Sequence, residues 1–440
     1  MMGTPKPEWV PLASVCEVSP REAAIPSEAP FVPMDAVQVG KLHPAYTEPR
    51  GSRGGVRARG GDVLFARITP CLENGKVALL PESWGPVGGS TEFLVLRPSS
   101  ALDSGFLYYW SLHPEVRRAA KASMSGVTGR MRLGRQAMSR FAIPLVSISE
   151  QRRIVAILEE HLTSLDDAVR SLRHVRDRSE LLWQAFVDSR LASAIADAFQ
   201  SEEIQAPGAG RQPDLEFVNA AWTGRFASLE SLTDPKRVVR YGILKPQSGG
   251  RGGDVPYVEV RDLRAPLVCA DLKRTTRELD EQFAGARLRG GDVIIAVRGS
   301  YERSQLVPGE LEGANISRDV ARIAPLPGLN PRFLHYWLQS TTTKRYLHRH
   351  ARGVAVKGVN IASLRALPVP LLPMSIQSSS VAEISSMEDS RARLSSASAA
   401  AERRAELLRR SCLVAAFSGR LTGRPSDTGI IEELADEESA

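Results

Sequence analysis

The chain has 440 residues, a hydrophobic fraction of 42% and a formal net charge of +7. This length predicts two to four folded units, and the positive charge favours an anionic partner. The N-terminus has no apolar leader and no run of about eighteen apolar residues occurs, so we expect a cytoplasmic protein with no membrane partner.

The first segment, residues 1–147, predicts a globular domain. Its short β-branched runs are separated by Gly and Pro, which is typical of strands joined by tight turns. The Gly-Gly-Asp turn at residues 60–62 leads into a strand that ends near Arg67, and we assign it no chemistry. Residues 106–122 have helical spacing with aromatic anchors. We therefore expect an α+β domain, mainly strands with a few helices.

Residues 148–200 predict one long helix. No Pro or Gly interrupts residues 149–189, and apolar residues recur there with the spacing of a coiled-coil seam. The seam comprises Ile154, Leu158, Leu165, Leu172, Val175, Leu182 and Phe186, widened by Leu162 and Val169. At about 1.5 Å per residue, residues 149–189 alone span ~60 Å, too long to fold inside one compact domain.

The second half of the chain repeats the first. Residues 201–214 are polar with Pro and Gly and predict a linker. Residues 215–373 then match the first segment in order: GGDVLFA at 60–66 matches GGDVIIA at 290–296, and FLYYW at 106–110 matches FLHYW at 333–337. Residues 374–422 repeat the long helix with a seam rich in Ala and Ser. Residues 423–440 are acidic and predict a disordered tail.

Each long helix exposes an apolar stripe that the other could cover. We expect the two helices to pair as an antiparallel coiled coil, provided that the intervening segments fold back. The alternative is that both are independent surface helices.

Several catalytic motifs are missing from the sequence. There is no GxxxxGK[ST] phosphate loop, and no GxGxxG follows a strand. Asn330-Pro331-Arg332-Phe333 is superficially similar to the amine-binding motif of amino-methyltransferases, but helix N-capping is the better interpretation. The four cysteines form no CxxC pair, so we predict no metal site.

Basic residues gather instead in Gly-rich loops at similar places in the two copies. Arg beside Ser or Thr on such loops is suited to phosphate contacts and to bidentate reading of guanine edges. For any single arginine an ordinary solvated surface is about equally plausible, and the repetition favours DNA. The candidate DNA-binding residues are Arg53, Arg57, Arg67, Lys76, Thr128, Arg130, Arg132, Arg251, Arg298, Arg303, Arg318, Arg352 and Lys357.

One stretch carries a family resemblance. SEQRRIVAILEEHLTSLDDAV at residues 149–169, following IPLVSI, together with GGDVLFARITP at residues 60–70, resembles the specificity subunit of type I restriction-modification systems. The layout of globular domain then long helix, used twice, is also that family's plan. The second copy departs from the pattern, since Ser375-Ile376-Gln377-Ser378 stands where the first copy has Ser149-Glu150-Gln151-Arg152.

The resemblance implies a function in phage defence. Each globular copy would be a target-recognition domain that reads one half of a bipartite site in double-stranded DNA, and the helices would be a spacer. The chain itself would be non-catalytic and hold no cofactor. Two methyltransferase subunits would bring S-adenosylmethionine, and motor-nuclease subunits would bring ATP and Mg²⁺. The outward helix faces would dock these partners through Arg152, Glu159, Asp166, Arg170, Arg173, Arg391, Glu402 and Arg403.

Two other functions stay open at this point. The chain could be a stand-alone DNA methyltransferase or nuclease, which would turn over without partners. It could also be a coiled-coil scaffold whose globular domains bind protein, in which case DNA binding would be absent or insensitive to salt.

Overall fold

The computed structural model describes residues 7–22, 25–127, 130–200, 226–244, 253–353, 356–421 and 426–439, without the side chains of residues 199 and 200. The predicted linker at 201–214 lies outside the described residues. The chain divides into two compact units: unit 1 contains Met1–His174 and Ala397–Ala440, and unit 2 contains Val175–Ser396.

Each globular segment is mainly strands with a few helices, and each is followed by one long helix, as the sequence predicts. The strands are β1 (Glu8–Pro11), β2 (Cys16–Val18), β3 (Pro30–Val32), β4 (Glu48–Pro49), β5 (Val56–Ala58), β6 (Val63–Ala66), β7 (Val77–Leu79), β8 (Val87–Gly89), β9 (Phe93–Pro98), β10 (Met124–Ser125), β11 (Arg132–Leu133), β12 (Ala142–Leu145), β13 (Phe226–Ser228), β14 (Arg240–Tyr241), β15 (Val255–Val258), β16 (Lys273–Thr275), β17 (Val293–Ala296), β18 (Ser304–Leu306), β19 (Asn315–Ile316), β20 (Val320–Ile323) and β21 (Pro368–Pro370). The α-helices are α1 (Ser104–Leu112), α2 (Pro114–Ala122), α3 (Arg135–Ser139), α4 (Ile148–Gln200), α5 (Arg277–Gln282), α6 (Pro331–Gln339), α7 (Thr341–His350), α8 (Ile361–Arg365), α9 (Met374–Phe417) and α10 (Ser426–Ser439).

The strand-rich part of unit 1, from β1 to β12, is here called domain 1. It contains two four-stranded sheets, in the orders β2-β9-β6-β7 and β4-β3-β8-β5. Strands β6 and β9 are antiparallel, whereas β3 pairs in parallel with β8. Because side chains alternate along a strand, Val63 and Phe65 enter one hydrophobic core while Leu64 and Ala66 enter another. Strand β6 is therefore buried on both faces.

The strand-rich part of unit 2, from β13 to β21, is called domain 2 and repeats this plan. The sheet β14-β20-β17-β18 corresponds to the first sheet of domain 1, and β15 pairs in parallel with β19 as β3 does with β8. Val293 and Ile295 enter one core while Ile294 and Ala296 enter another. The predicted α+β class is confirmed, and the repeat seen in the sequence is a repeat of topology.

A buried glutamine joins each long helix to its domain. Gln151, near the start of α4, accepts a hydrogen bond from the backbone N–H of Asp103 at 2.8 Å and donates to the carbonyls of Ala101 and Val146 at 2.9 Å. Gln377 makes the same three bonds near the start of α9, to Asn330, Gly328 and Leu372, at 2.8–2.9 Å. The Ser-Ile-Gln-Ser departure in the second copy thus keeps the one side chain that makes this joint.

The first helix of each domain is capped by a side chain. The Oδ1 atom of Asp103 accepts from the N–H groups of Gly105 and Phe106 at 2.9 and 3.1 Å. The Oδ1 atom of Asn330 likewise accepts from Arg332 and Phe333 at 2.9 and 3.3 Å. The N-capping interpretation of the Asn-Pro-Arg-Phe motif is confirmed.

In unit 1 the first part of α4 packs against the last part of α9. Ile154 and Leu158 share a core with Leu413 and Phe417, whose ring lies 4.9 Å from that of Phe106. Two ion pairs flank this contact, Asp166 with Arg409 and Arg173 with Glu402 at 3.6 Å. Residue numbers rise along α4 as they fall along α9, so the pairing is antiparallel.

In unit 2 the last part of α4 packs against the first part of α9, again antiparallel. Arg391 pairs with Glu180 at 2.9 Å, and its guanidinium lies 4.5 Å from the ring centre of Trp183. Arg190 pairs with Glu383 at 2.9 Å. The predicted antiparallel coiled coil is confirmed.

The seam predicted for α4 is wrong at Val175 and Leu182, whereas Phe186 packs against the core of unit 2 as predicted. Val175 and Leu182 are 48% and 61% exposed, and Trp183, Val187 and Leu191 are buried in their place. A strict heptad extrapolated from the first half fails because α4 changes partner: beyond His174 it packs on domain 2, whose aromatic helix α6 brings Tyr336 to 6.2 Å from Trp183.

The predicted disordered tail is also wrong for residues 426–439. They form α10, whose Ile431 and Ala435 are buried. Its carboxylates pair with α9 and with the turn that follows it, Asp436 with Arg404 at 2.6 Å and Glu433 with Arg420 at 3.2 Å. The acidic residues of α10 therefore form ion pairs with arginines of the same chain. Among the described residues, no helix has the length and apolar character that crossing a bilayer requires.

Replacing either glutamine by leucine should weaken the joint between domain and helix. Gln151→Leu or Gln377→Leu leaves one N–H and two carbonyls without a partner, which should lower the free energy of unfolding by about 2–4 kcal/mol in urea titrations. The exposed Gln136 on α3 is the matched control, since Gln136→Leu removes the same amide. Equal losses in Gln151→Leu and Gln136→Leu would contradict this account of the joint.

Buried His335 should make unit 2 sensitive to acid. Burial lowers the pKa of His335 from its usual 6.5 to about 4, and the ring lies against Ser304 Oγ at 3.1 Å and Gln339 Nε2 at 2.8 Å. The imidazole of His335 is therefore protonated below about pH 6.5 in the unfolded chain, but only below about pH 4 in the folded chain. Stability should be intact above pH 6.5 and fall by about 3 kcal/mol between there and pH 4. His335→Gln should flatten this part of the curve of unfolding free energy against pH; parallel curves for the two proteins would show that His335 is not responsible.

Candidate nucleic-acid interface

Predicted basic residues of domain 2 converge on one open groove of about 780 Å³. Arg298, Arg303 and Arg318 line it together with two arginines that the sequence analysis did not single out, Arg261 and Arg264. The Nη1 atom of Arg303 is buried without a hydrogen-bond partner among the described residues. This groove therefore concentrates guanidinium groups that could bind an anionic ligand.

Local backbone structure places these arginines. Arg298 follows the end of β17, and Gly299 after it has φ +72°, a conformation that favours glycine. Arg318 lies in the turn between β19 and β20. A hairpin closes on the same edge, because the N–H and carbonyl of Arg352 bond those of Gly358, and Val359 donates to the carbonyl of Val297 at 2.8 Å.

A neighbouring groove of about 560 Å³ shares Arg298 and Arg318 with the first and adds Arg352. The guanidinium of Arg352 donates back to the carbonyls of Arg349 and Ala351 at 2.8 and 3.1 Å. Lys357 is exposed on the same hairpin and lines neither groove. Arg251 lies outside the described residues.

The corresponding edge of domain 1 holds Arg67, Lys76 and Arg132. Lys76 donates to the carbonyl of Met34 at 2.9 Å, and the Nε atom of Arg67 is buried with no hydrogen-bond partner in the part of the chain that is described. Arg132 binds the carboxylate of Glu92 through three contacts of 2.6–3.2 Å. The Arg132 guanidinium holds the pKa of Glu92 below its usual range.

The other predicted residues of domain 1 are placed less uniformly. Arg130 is exposed just before β11, and Thr128 lies outside the described residues. Arg53 pairs with Glu48 and lies 5.3 Å from the ring centre of Phe31, while Arg57 donates to the carbonyl of Glu22 at 2.8 Å. These last two arginines belong to the sheet β4-β3-β8-β5 and its loops, not to the edge that carries Arg67.

Backbone hydrogen bonds fix the equivalent positions of the two domains. Ala66 donates to the carbonyl of Lys76 as Ala296 does to that of Arg303, so Lys76 and Arg303 correspond. Arg67 donates to the carbonyl of Glu92 as Val297 does to that of Asp319. Arg67 therefore corresponds to Val297 and not to Arg298, which is one residue further along. The two arginines are therefore not equivalent, and the residue of domain 1 that corresponds to Arg298 is Ile68.

The Gly-Gly-Asp turn holds a buried ion pair that the sequence analysis missed. Asp62 is 1% exposed and binds Arg97 through contacts of 2.6 and 2.8 Å; Asp292 is 3% exposed and binds Arg237 in the same two-point manner. Both carboxylates also accept the N–H that closes their own turn. The repeated Asp was visible in the sequence, but its arginine comes from a different element in each domain.

The residues predicted to dock partners divide into two groups. Asp166, Arg173, Arg391 and Glu402 form ion pairs with the opposite long helix, and the Arg173 side chain is still 60% exposed. Arg152, Glu159, Arg170 and Arg403 are exposed, with Arg152 3.5 Å from Asp103 and Arg170 2.7 Å from Asp167. A docking role for any of them stays a prediction. Within the described ranges, no three His, Cys, Asp or Glu side chains are grouped so that they could hold a metal ion.

Sequence comparison finds a family match within unit 1. Residues 37–169 match the type I restriction modification DNA specificity domain. The chain is 24% identical over 323 residues to the type I restriction enzyme EcoBI specificity subunit of Escherichia coli, covering 72% of this chain and 66% of that protein. It is 28% identical over 202 residues to the EcoEI specificity subunit of Escherichia coli, covering 43% and 34%. The matches thus span less than two thirds of each relative.

Two solved structures share the fold over nearly the whole chain. A chain from a study of complex assembly and conformational transition of the type I R-M system has a TM-score of 0.69 at 22% identity, covering 95% of this chain and 99% of its own length. The HsdS subunit from Thermoanaerobacter tengcongensis has a TM-score of 0.55 at 21% identity, covering 95% and 98%. The family resemblance predicted from residues 60–70 and 143–169 is confirmed.

Proposed function

We propose that this chain, a relative of the specificity subunits of type I restriction-modification systems, is the DNA-reading subunit of such a complex. Each domain binds one half of a bipartite site in double-stranded DNA. The long helices set the spacing between the halves and dock the partner subunits. The chain acts in the cytoplasm as part of phage defence.

The arginine-lined groove of domain 2 is the observation that carries this proposal. Five arginines and the carboxylate of Asp319 line it, and one of these arginines, Arg261, is also paired with Glu259 at 3.0 Å and Asp262 at 3.5 Å. Guanidinium groups bind phosphates and also read the O6 and N7 atoms of guanine in a bidentate manner. An edge built from turns and a hairpin leaves these side chains near the surface, where a duplex can reach them.

The two half-sites should differ in sequence. At equivalent backbone positions, domain 1 has Lys76 where domain 2 has Arg303, and Ile68 where domain 2 has Arg298. Because the hydrogen-bonding groups at the edge differ, the two domains present different donors to the bases.

The chain is proposed to be non-catalytic. Two methyltransferase subunits bring S-adenosylmethionine, and motor-nuclease subunits bring ATP and Mg²⁺. Exposed charges on the long helices, among them Glu159, Arg170 and Arg403, are the proposed docking surface. Purified chain that methylated or cleaved DNA alone would favour a stand-alone enzyme. DNA binding that did not weaken with salt, or was absent, would favour a protein-binding scaffold.

Removing groove arginines should weaken reading of one half-site only. A preferred duplex is first selected from a random 40-bp pool by the intact wild-type chain, and variants are then titrated with it and with duplexes scrambled in either half. Arg298→Ala and Arg318→Ala should each weaken binding about 5- to 100-fold, the range for a good contact to a base. Their effect should vanish when the half read by domain 2 is scrambled.

Arg345→Ala is the control for that experiment. Arg345 is exposed on α7 of the same unit and does not line the groove. Arg345→Ala removes the same positive charge as Arg298→Ala. If Arg345→Ala weakened binding as much as Arg298→Ala, net charge and not the groove would explain the affinity.

A further inference from the structure

One acidic residue occupies the same backbone position in both domains. Glu92 stands immediately before β9, and Asp319 stands immediately before β20. Their carbonyls accept the equivalent hydrogen bonds, from Arg67 at 2.9 Å and from Val297 at 2.8 Å. The backbone contact does not require an acid, because any residue supplies a carbonyl. The side chain at this position is therefore open to another role.

In domain 1 the Glu92 carboxylate holds an arginine of the hairpin β10-β11. Both oxygens of Glu92 accept from Arg132, at 2.6, 3.0 and 3.2 Å. The side chains of Glu92 and Arg132 are 25% and 43% exposed, so the pair lies at the surface of the domain 1 edge that also carries Arg67 and Lys76. The hairpin itself is fixed by backbone bonds, since Leu133 donates to the carbonyl of Arg67 at 2.8 Å and Thr69 donates to that of Met131 at 3.2 Å.

In domain 2 the Asp319 carboxylate lies between two groove arginines. Its Oδ1 atom is 4.0 Å from Arg298 Nη1 and 3.7 Å from Arg318 Nε. It is the acidic residue among those that line the groove, and it is 36% exposed. An acid beside the candidate DNA-binding arginines thus recurs in both domains, although the arginines themselves come from different positions.

These acids differ from the structural acids nearby. Asp62 and Asp292 are almost fully buried and close a turn as well as an ion pair. The Glu92 and Asp319 side chains are 25% and 36% exposed, so a ligand at the surface can reach both carboxylates. Each lies beside candidate DNA-binding arginines and can therefore affect how DNA phosphates and bases bind there.

We propose that Glu92 and Asp319 are specificity-determining residues that suppress non-specific DNA binding at their own domain, an inference that rests on the proposed function. Each carboxylate competes with phosphate for its arginine and repels the phosphate itself. A base edge avoids both penalties, because guanine O6 and N7 accept from the arginine while a cytosine or adenine amino group donates to the carboxylate. The acid thereby weakens contacts to DNA phosphates, which every sequence offers, and does not weaken contacts to the correct base pairs.

The test uses the full-length chain with Glu92→Gln and Asp319→Asn, which keep the shape of each side chain and remove its charge. Affinity for a random-sequence 40-bp duplex is measured across a salt series. Each variant should bind this duplex more tightly than wild type, with the slope of log affinity against log salt steeper by about 0.9 for one freed arginine–phosphate contact. Glu115→Gln is the matched control, since Glu115 is exposed on α2 and pairs with Arg118 away from the edge.

A second measurement reads specificity directly. Duplexes bound from a random pool are sequenced, and enrichment is compared at each half-site. Glu92→Gln should lower enrichment by about tenfold at one base pair of the half read by domain 1 and leave the other half unchanged, and Asp319→Asn should do the converse.

The outcomes separate this inference from the proposed function. Unchanged random-duplex affinity and unchanged enrichment in both variants, with sequence-specific binding intact, would overturn the inference and leave the proposed function standing. If Glu115→Gln raised the affinity for the random-sequence duplex as much as Glu92→Gln does, the inference would also be overturned, because the change in net charge alone would explain the effect. If wild type and all variants failed to bind DNA, both proposals would fall.

Discussion

The structure depends on the burial of two apolar stripes that neither long helix can cover alone. A helix of 53 residues is about 80 Å long, well beyond the diameter of a small domain. In each unit, part of α4 and part of α9 lie antiparallel and complete the core of the attached domain: Phe417 packs on Phe106 in unit 1, and Trp183 packs on Tyr336 in unit 2. Each domain therefore needs the end of the helix that starts from the other domain. The chain must be duplicated for this arrangement to close within one molecule.

The ion-pair partners of each arginine show whether it stabilises the fold or is available to bind a ligand. Arg97 and Arg237 are bound at two points by nearly buried aspartates, which makes them part of the domain cores. Arg404 and Arg420 are covered by the acidic helix α10. In the domain 2 groove, Arg298 and Arg318 have a partly exposed acid at 3.7 Å or more, whereas Arg261 is paired with Glu259 at 3.0 Å. A net charge of +7 is thus a poor guide to the interface, because the partners of each arginine decide its availability.

Much of the fold could be predicted from the sequence because its signals are local or repeated. The Gly-Gly-Asp turns, the aromatic helices and the unbroken α4 each follow from residues close together in the chain. Gln151 and Gln377 occupy the same position in the two copies, but a glutamine on a helix gives no local signal that its amide will bind the backbone of the attached domain. The departure from the seam at Val175 and Leu182 could not be predicted, because the partner surface changes from α9 and domain 1 to α9 and domain 2. The same holds for α10, whose acidic residues look solvated until the arginines of α9 are brought beside them.

The candidate site was harder to predict than the fold because it is made by side chains from distant segments. Arg261, Arg298 and Arg318 are neighbours only after β15, β17 and β20 have folded into their sheets. The match of residues 60–66 with 290–296 aligns Arg67 with Val297, and the backbone hydrogen bonds agree, so Arg298 lies one position further along and has no basic counterpart in domain 1. What the two domains share at this edge is the strand framework and one acid, while the cations around that acid are supplied differently by each. Under the proposed function, an acid at one fixed backbone position with cations from different positions lets the two domains bind different sequences without any change in the cores beneath them.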